Sequence, residues 1–212
     1  MAAHLLAVCQ ALDLRALNQS FLDGYKSHFR TLVHEKYVLK AGLIESSVEN
    51  LFSSFWVELQ RMMDATVSMN AEDRFPFMAK SMRNLFLDHP SFDKKSQTLE
   101  NLETFIDTLA SSLSETWCHN RDAYLVHGDA TPLLRYASRS IYGFVRKSLN
   151  VPFLSSSHLR TPKPDADGML SRHAPTVGSY TGTVYRALKD GTLAKVAMDI
   201  LEYTHDQAIR RV

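Results

Sequence analysis

The chain has 212 residues, 45% hydrophobic and 22% charged, with 24 Lys and Arg against 23 Asp and Glu, so its formal net charge is +1. That balance gives no field to attract nucleic acid or an anionic membrane, and the length suits one domain with a real core or two small ones. The two cysteines, Cys9 and Cys118, lie far apart in helical patterns with no secretory signal. Buried free thiols in a reducing cytoplasm are therefore expected. The stretch Ala2 to Cys9 is short and apolar, but it lacks a basic lead, contains His4 and runs into Asp13 and Arg15. It fits neither a signal peptide nor a membrane span.

In chain order, an apolar, helix-patterned run extends from Ala2 to about Leu39. Leu5, Val8, Cys9, Leu12, Leu17, Phe21, Tyr25, Phe29 and Leu32 recur mostly at three- and four-residue steps. Such a helix would reach roughly 55 Å, more than a domain of this size spans, which implies a piece of a larger bundle. Met1 falls directly on the stripe without a cap, so the natural start is expected upstream. After a connector from Lys40 to Glu45, Ser46-Ser47-Val48-Glu49 reads as a capping box opening a helix to about Val67. A shorter helix is expected from about Phe75 to Leu87, with Pro76 in its first turn, and His89-Pro90-Ser91 as a break. Ser96 or Thr98 caps the next helix, which runs to about Val126 before His127-Gly128-Asp129. Residues from about 41 to 129 thus read as an antiparallel helical array.

The last third predicts a helix from Thr131-Pro132 to Leu149, with Tyr142 off to one side, ended by Asn150-Val151-Pro152. A long loop from Phe153 to Pro175 follows, containing Pro162, Pro164 and Gly168. Thr176-Val177-Gly178-Ser179 caps a helix carrying Val184, Tyr185 and Leu188, and Asp190-Gly191 closes it. Leu193, Val196, Ala197, Ile200 and Leu201 form a final amphipathic helix fraying into 205–212. Every strong pattern is helical, so the fold class is all-α, a partial bundle with an inserted helical subdomain. The expected division is 1–40 core bundle helix, 41–130 helical insertion and 131–212 C-terminal helices.

Chemistry is sparse in this pattern. Nine histidines occur, but no pair stands four apart on one helix face as a metal site would need; His28 and His34 are six apart. Cys9 lies on the apolar stripe with no histidine three or four residues away, which suits a buried hydrophobe better than a nucleophile. Asp13 and Arg15, two apart, point to different sides of the helix, and each is expected to need a partner elsewhere as an anchor of helix packing. Gly178 belongs to an N-cap, not to a phosphate loop. Arg210 and Arg211 form no nucleic-acid face. No catalytic, substrate-binding, cofactor-binding or metal residue is assigned.

Two separated regions nevertheless carry a resemblance. Cys9-Gln10-Ala11-Leu12-Asp13-Leu14-Arg15 resembles the Cys-Gln-Ala-(Leu/Ile)-Asp-Leu-Arg run of eukaryotic phenylalanine/tyrosine ammonia-lyases. Ile141-Tyr142-Gly143-Phe144-Val145-Arg146, followed by Leu149-Asn150-Val151-Pro152, is similar to their Leu-Tyr-x-Phe-Val-Arg segment. Thr176-Val177-Gly178-Ser179 with Val184-Tyr185-Arg186-Ala187-Leu188-Lys189-Asp190-Gly191 is similar to the terminal segment of the fungal members, in the same order and at similar separation. About residues 4–25 and 134–203 match. The middle block agrees in length, position and helical character with the family's shielding insertion.

The resemblance implies a homotetramer with a central bundle of long helices, converting L-phenylalanine or L-tyrosine to trans-cinnamate or p-coumarate and ammonia. It also implies an electrophilic methylideneimidazolone cofactor made from an Ala-Ser-Gly tripeptide, and a tyrosine base. This sequence contains no Ala-Ser-Gly; the nearest runs are Ala110-Ser111-Ser112 and Ala137-Ser138-Arg139. The family's catalytic loop and substrate-binding positions precede the Cys-Gln-Ala-Leu-Asp-Leu-Arg helix, so Tyr25, Tyr37 and Tyr142 inherit no role. Two readings follow. One is a C-terminal portion of such a lyase, inactive alone, with a structural and oligomerisation role. The other is a stand-alone helical module that associates with intact lyase subunits through an exposed stripe of Leu5, Val8, Leu12 and Phe21. Neither involves nucleic acid or a membrane.

Overall fold

A computed structural model describes residues 1–38, 45–88, 96–159 and 176–209, with side chains except at 37, 45–48, 96–98 and 204–209. Among these residues all regular structure is helical. The elements are α1 (Ala2–Val33, closing in a π turn over His34–Val38), α2 (Glu45–Ala65), α3 (Ala71–Leu87) and α4 (Ser96–His127). A 3₁₀ turn over Thr131–Leu133 leads to α5 (Tyr136–Gly143), which continues as a π turn over Phe144–Ser148. A 3₁₀ turn at Ser156–Leu159, α6 (Val177–Lys189) and α7 (Thr192–Ile209) complete the order. Residues 40–44 of the expected connector, the His89-Pro90-Ser91 break and most of the loop to Pro175 lie outside the described residues. The capping box expected at Ser46 is corrected: α2 already begins at Glu45, so Ser46 lies inside the helix and not at its N-cap, and Glu49 pairs with Arg30 instead.

Two compact units emerge, residues 1–18 with 123–212, and residues 19–122. Both crossings fall inside helices, α1 and α4. The three-part division at 40 and 130 follows connectors instead, and divides the chain by segment rather than by core.

In the unit 19–122, four helical segments share one core. The later turns of α1 contribute Phe21, Tyr25 and Phe29; α2 brings Phe55 and Leu59; α3 brings Met78 and Phe86; α4 brings Phe105 and Leu109, all fully buried. Full burial of each such side chain is worth about 1.5–3 kcal/mol. Aromatic pairs run through it: Phe21 stacks on Tyr25 and meets Trp117 edge-on, each at 5.2 Å. Arg74, also buried, donates to the Thr66 hydroxyl and the Met63 carbonyl and lies over the Trp117 ring at 5.1 Å. Burial holds its guanidinium below the usual range.

Several expectations are corrected here. Phe21 is not on an exposed stripe but in the core, and Leu5 and Leu12 are partly covered; of the four, only Val8 is open. The helix α3 starts at Ala71, with Asn70 as N-cap, so Pro76 is its sixth residue and not in its first turn. The Thr131–Leu149 helix is interrupted: Leu134 is extended, and α5 begins only at Tyr136. Cys9 is buried, whereas Cys118 is half-buried; both are free. The cap at Thr176 forms as read, with Thr176 and Ser179 exchanging side-chain and backbone bonds. Gly191 closes α6 at φ 82°, a conformation that favours glycine.

Candidate functional site

The polar centre of the other unit is built on the first turns of α1. Cys9 and Asp13 are four residues apart and share the buried face, 1% exposed each. Asp13 collects four donors. The Tyr142 hydroxyl donates to its Oδ1 at 2.5 Å and the Tyr124 hydroxyl to the same atom at 3.3 Å. Arg146 donates from Nε to Oδ2 at 2.9 Å and from Nη2 to the same oxygen. The pair is dry, with side chains 8% and 1% exposed. Gln10, one step round the helix, clamps the backbone of Leu154: its Nε2 donates to the Leu154 carbonyl at 2.8 Å and its Oε1 accepts from the Leu154 N–H at 3.0 Å.

Local backbone geometry delivers these partners. The π turn over Phe144–Ser148 buries Val145 and presents Arg146 to Asp13. Asn150 then takes a left-handed conformation, φ 55°, one that Asn tolerates better than most residues. Beyond it the Val151 and Pro152 carbonyls accept from Arg146 Nη1 at 3.2 and 2.5 Å. The Tyr142 oxygen also accepts from the Ala130 N–H at 3.2 Å. At Gly128 a Cβ would stand 2.3 Å from the Tyr124 ring and 2.4 Å from the Tyr124 carbonyl oxygen, so glycine lets that ring lie across the turn.

The shifts in the cluster all keep its phenols and its thiol in the neutral form. Burial, followed by its bond to Asp13, pushes the Tyr142 phenol up to about 12. Burial and the Asp13 charge push Tyr124 well above the usual phenol range. Burial raises the Cys9 thiol against the pull of Arg146, so Cys9 is no thiolate nucleophile. A cleft of about 360 Å³ opens beside the cluster, lined among others by Tyr124, Arg146, Lys147 and Phe153. Its rim holds the exposed Lys147–Asp129 pair at 3.0 Å. Asp129 Oδ1 also accepts from the Thr131 N–H at 2.9 Å, bracing the turn into the 3₁₀ segment, whose N-cap, Ala130, makes no side-chain cap bond. The arrangement is a structural lock: the Asp13 carboxylate and the Arg146 guanidinium both spend their hydrogen bonds on the protein itself.

The expected need of Asp13 for a distant partner is met, and that partner is Arg146. Arg15 needs none, because it is exposed to water. Tyr142 does not point aside; it is 2% exposed and faces Asp13. The pairing of the two charges was missed, although Asp13 in an apolar stripe and Arg146 beside buried Val145 were its visible signals.

In the 19–122 unit, Ser112 Oγ lies 3.0 Å from the Tyr25 hydroxyl and 3.1 Å from His28 Nε2. Ser112 sits within regular helix α4, whose backbone N–H groups are engaged along the helix and cannot form an oxyanion hole. Burial raises Tyr25 to about 12, so its phenol stays neutral and serves as a hydrogen-bond partner. The side chain of Tyr37 lies outside the described residues. Among the described residues no group of three His, Cys, Asp or Glu could hold a metal, and no helix is long and apolar enough to cross a membrane.

The residues present do not fit the methylideneimidazolone of the resembled family. Neither near-match to the tripeptide ends in glycine, and both are locked in helices. Ser111 Oγ donates back to the Asp107 carbonyl at 3.1 Å.

The fold is that of the helical ammonia-lyases: the chain superposes on phenylalanine ammonia lyase from Rhodosporidium toruloides with a TM-score of 0.74 at 20% identity, over 92% of this chain and 28% of that one. In sequence it is homologous to fungal phenylalanine ammonia-lyases, with 27% identity over 206 residues to the enzyme of Flammulina velutipes, covering 95% of this chain and 28% of the relative. It is also 24% identical over 203 residues to a phenylalanine aminomutase (L-beta-phenylalanine forming) of Talaromyces islandicus, covering 95% and 28%. No protein-family profile matches the chain. It therefore spans a little over a quarter of the length of these relatives, in keeping with a C-terminal portion.

Proposed function

We propose that this chain is the C-terminal, non-catalytic scaffold of an aromatic amino-acid ammonia-lyase, the class that turns L-phenylalanine or L-tyrosine into trans-cinnamate or p-coumarate and ammonia. The observation that carries the reading is the Asp13 lock. Two of the segments that resemble the family meet there, Asp13 from one, Tyr142, Arg146, Val151 and Pro152 from the other. Their polar groups are consumed in holding the helix and the turn together, which supports a structural role. Residues 41–130 take the place of the shielding insertion, and the chain takes part in oligomerisation, as a tetramer in the cytoplasm. The electrophile comes from outside this sequence, since no Ala-Ser-Gly lies within it. By itself the chain is inactive, because no group in it replaces that electrophile.

The test is an ammonia-release assay on the purified 212-residue chain with L-phenylalanine and L-tyrosine, read together with cinnamate absorbance. Background rates are expected, and turnover above them overturns the proposed inactivity. Size exclusion with light scattering, on the chain alone and mixed with an intact fungal lyase, checks the second part. A chain that stays monomeric in both overturns the oligomerisation role.

A further inference from the structure

We draw no further inference here: the strongest candidate, the exposed row of Ala3, Ala7, Ala11 and Leu14 along the outer face of the N-terminal half of α1, carries nothing because nothing in the structure shows what covers it.

Discussion

Two charges in one seven-residue motif have opposite fates, and the difference is measurable. Asp13 is buried with Arg146, so Asp13→Asn leaves a guanidinium facing a weaker acceptor in a dry site. Removing one partner of such a pair costs about 3–5 kcal/mol. Arg15 is exposed, and Arg15→Ala is expected to stay within about 0.5 kcal/mol. Urea midpoints of the two variants settle the contrast; a mild Asp13→Asn would show that the lock contributes little. Tyr142→Phe keeps the ring but strips a donor from Asp13 and an acceptor from the Ala130 N–H, for about 1–3 kcal/mol. The phenols also set an alkaline limit. Tyr25 and Tyr142 are raised from 10.0 to about 12 by folding, so the unfolded chain gives up these protons first. Their contribution is intact below pH 10 and is lost as pH climbs to about 12. Absorbance at 295 nm should show phenols that stay silent across that window and ionise together with unfolding. Smooth ionisation of every tyrosine with the helix intact would contradict it.

At the scale of elements, caps and breaks decide where the sequence could be read. The Thr176 cap was legible because its two bonding partners stand three residues apart, and Thr176→Ala is expected to cost about 1 kcal/mol in thermal unfolding. The helix α3 starts at Ala71 and not near Phe75, because its first turn is polar and the apolar periodicity does not report it. The backbone at Asn70 begins the helix without a side-chain bond, and Pro76 then falls in the interior. There it removes the N–H that would bond the Glu72 carbonyl. Pro76→Ala, at an exposed position, should therefore raise the melting temperature; no change would mean that the helix has already adapted to the ring. The orientation of Tyr142 was misread for a related reason. Stepping 100° per residue from Thr131 assumes one helix, but the extended Leu134 and the new start at Tyr136 reset the phase before Tyr142 is reached. The Asp13–Arg146 pair spans 133 residues, a separation that a local periodicity cannot report. Gly128, read as a helix stop, proves also to be a close-approach position. Gly128→Ala should displace Tyr124 and weaken its bond to Asp13, visible as a drop in stability that Tyr124→Phe largely reproduces.

At the scale of the whole chain, the 19–122 unit has what independent folding requires. It is one continuous segment with its own core, and its ends lie together: Ser20 Oγ donates to Asn120 Oδ1 at 3.1 Å, next to the edge-on contact of Phe21 with Trp117. A segment whose ends are joined in the native state loses little when the flanking chain is removed, and its size falls within the range of single domains. The first unit is different, being assembled from residues 1–18 and 123–212, so neither piece holds the Asp13 lock alone. Residues 19–122 expressed alone are thus expected to give a helical circular dichroism spectrum and one cooperative urea transition, and residues 123–212 alone are not. A broad, non-cooperative loss of helix in the excised 19–122 segment would show that its core depends on the rest of the chain. A double-mutant cycle on Phe21 and Trp117 within that fragment adds an internal check. A coupling of about 0.5–1.5 kcal/mol is expected if the closing contact survives excision, and none if the ends have frayed.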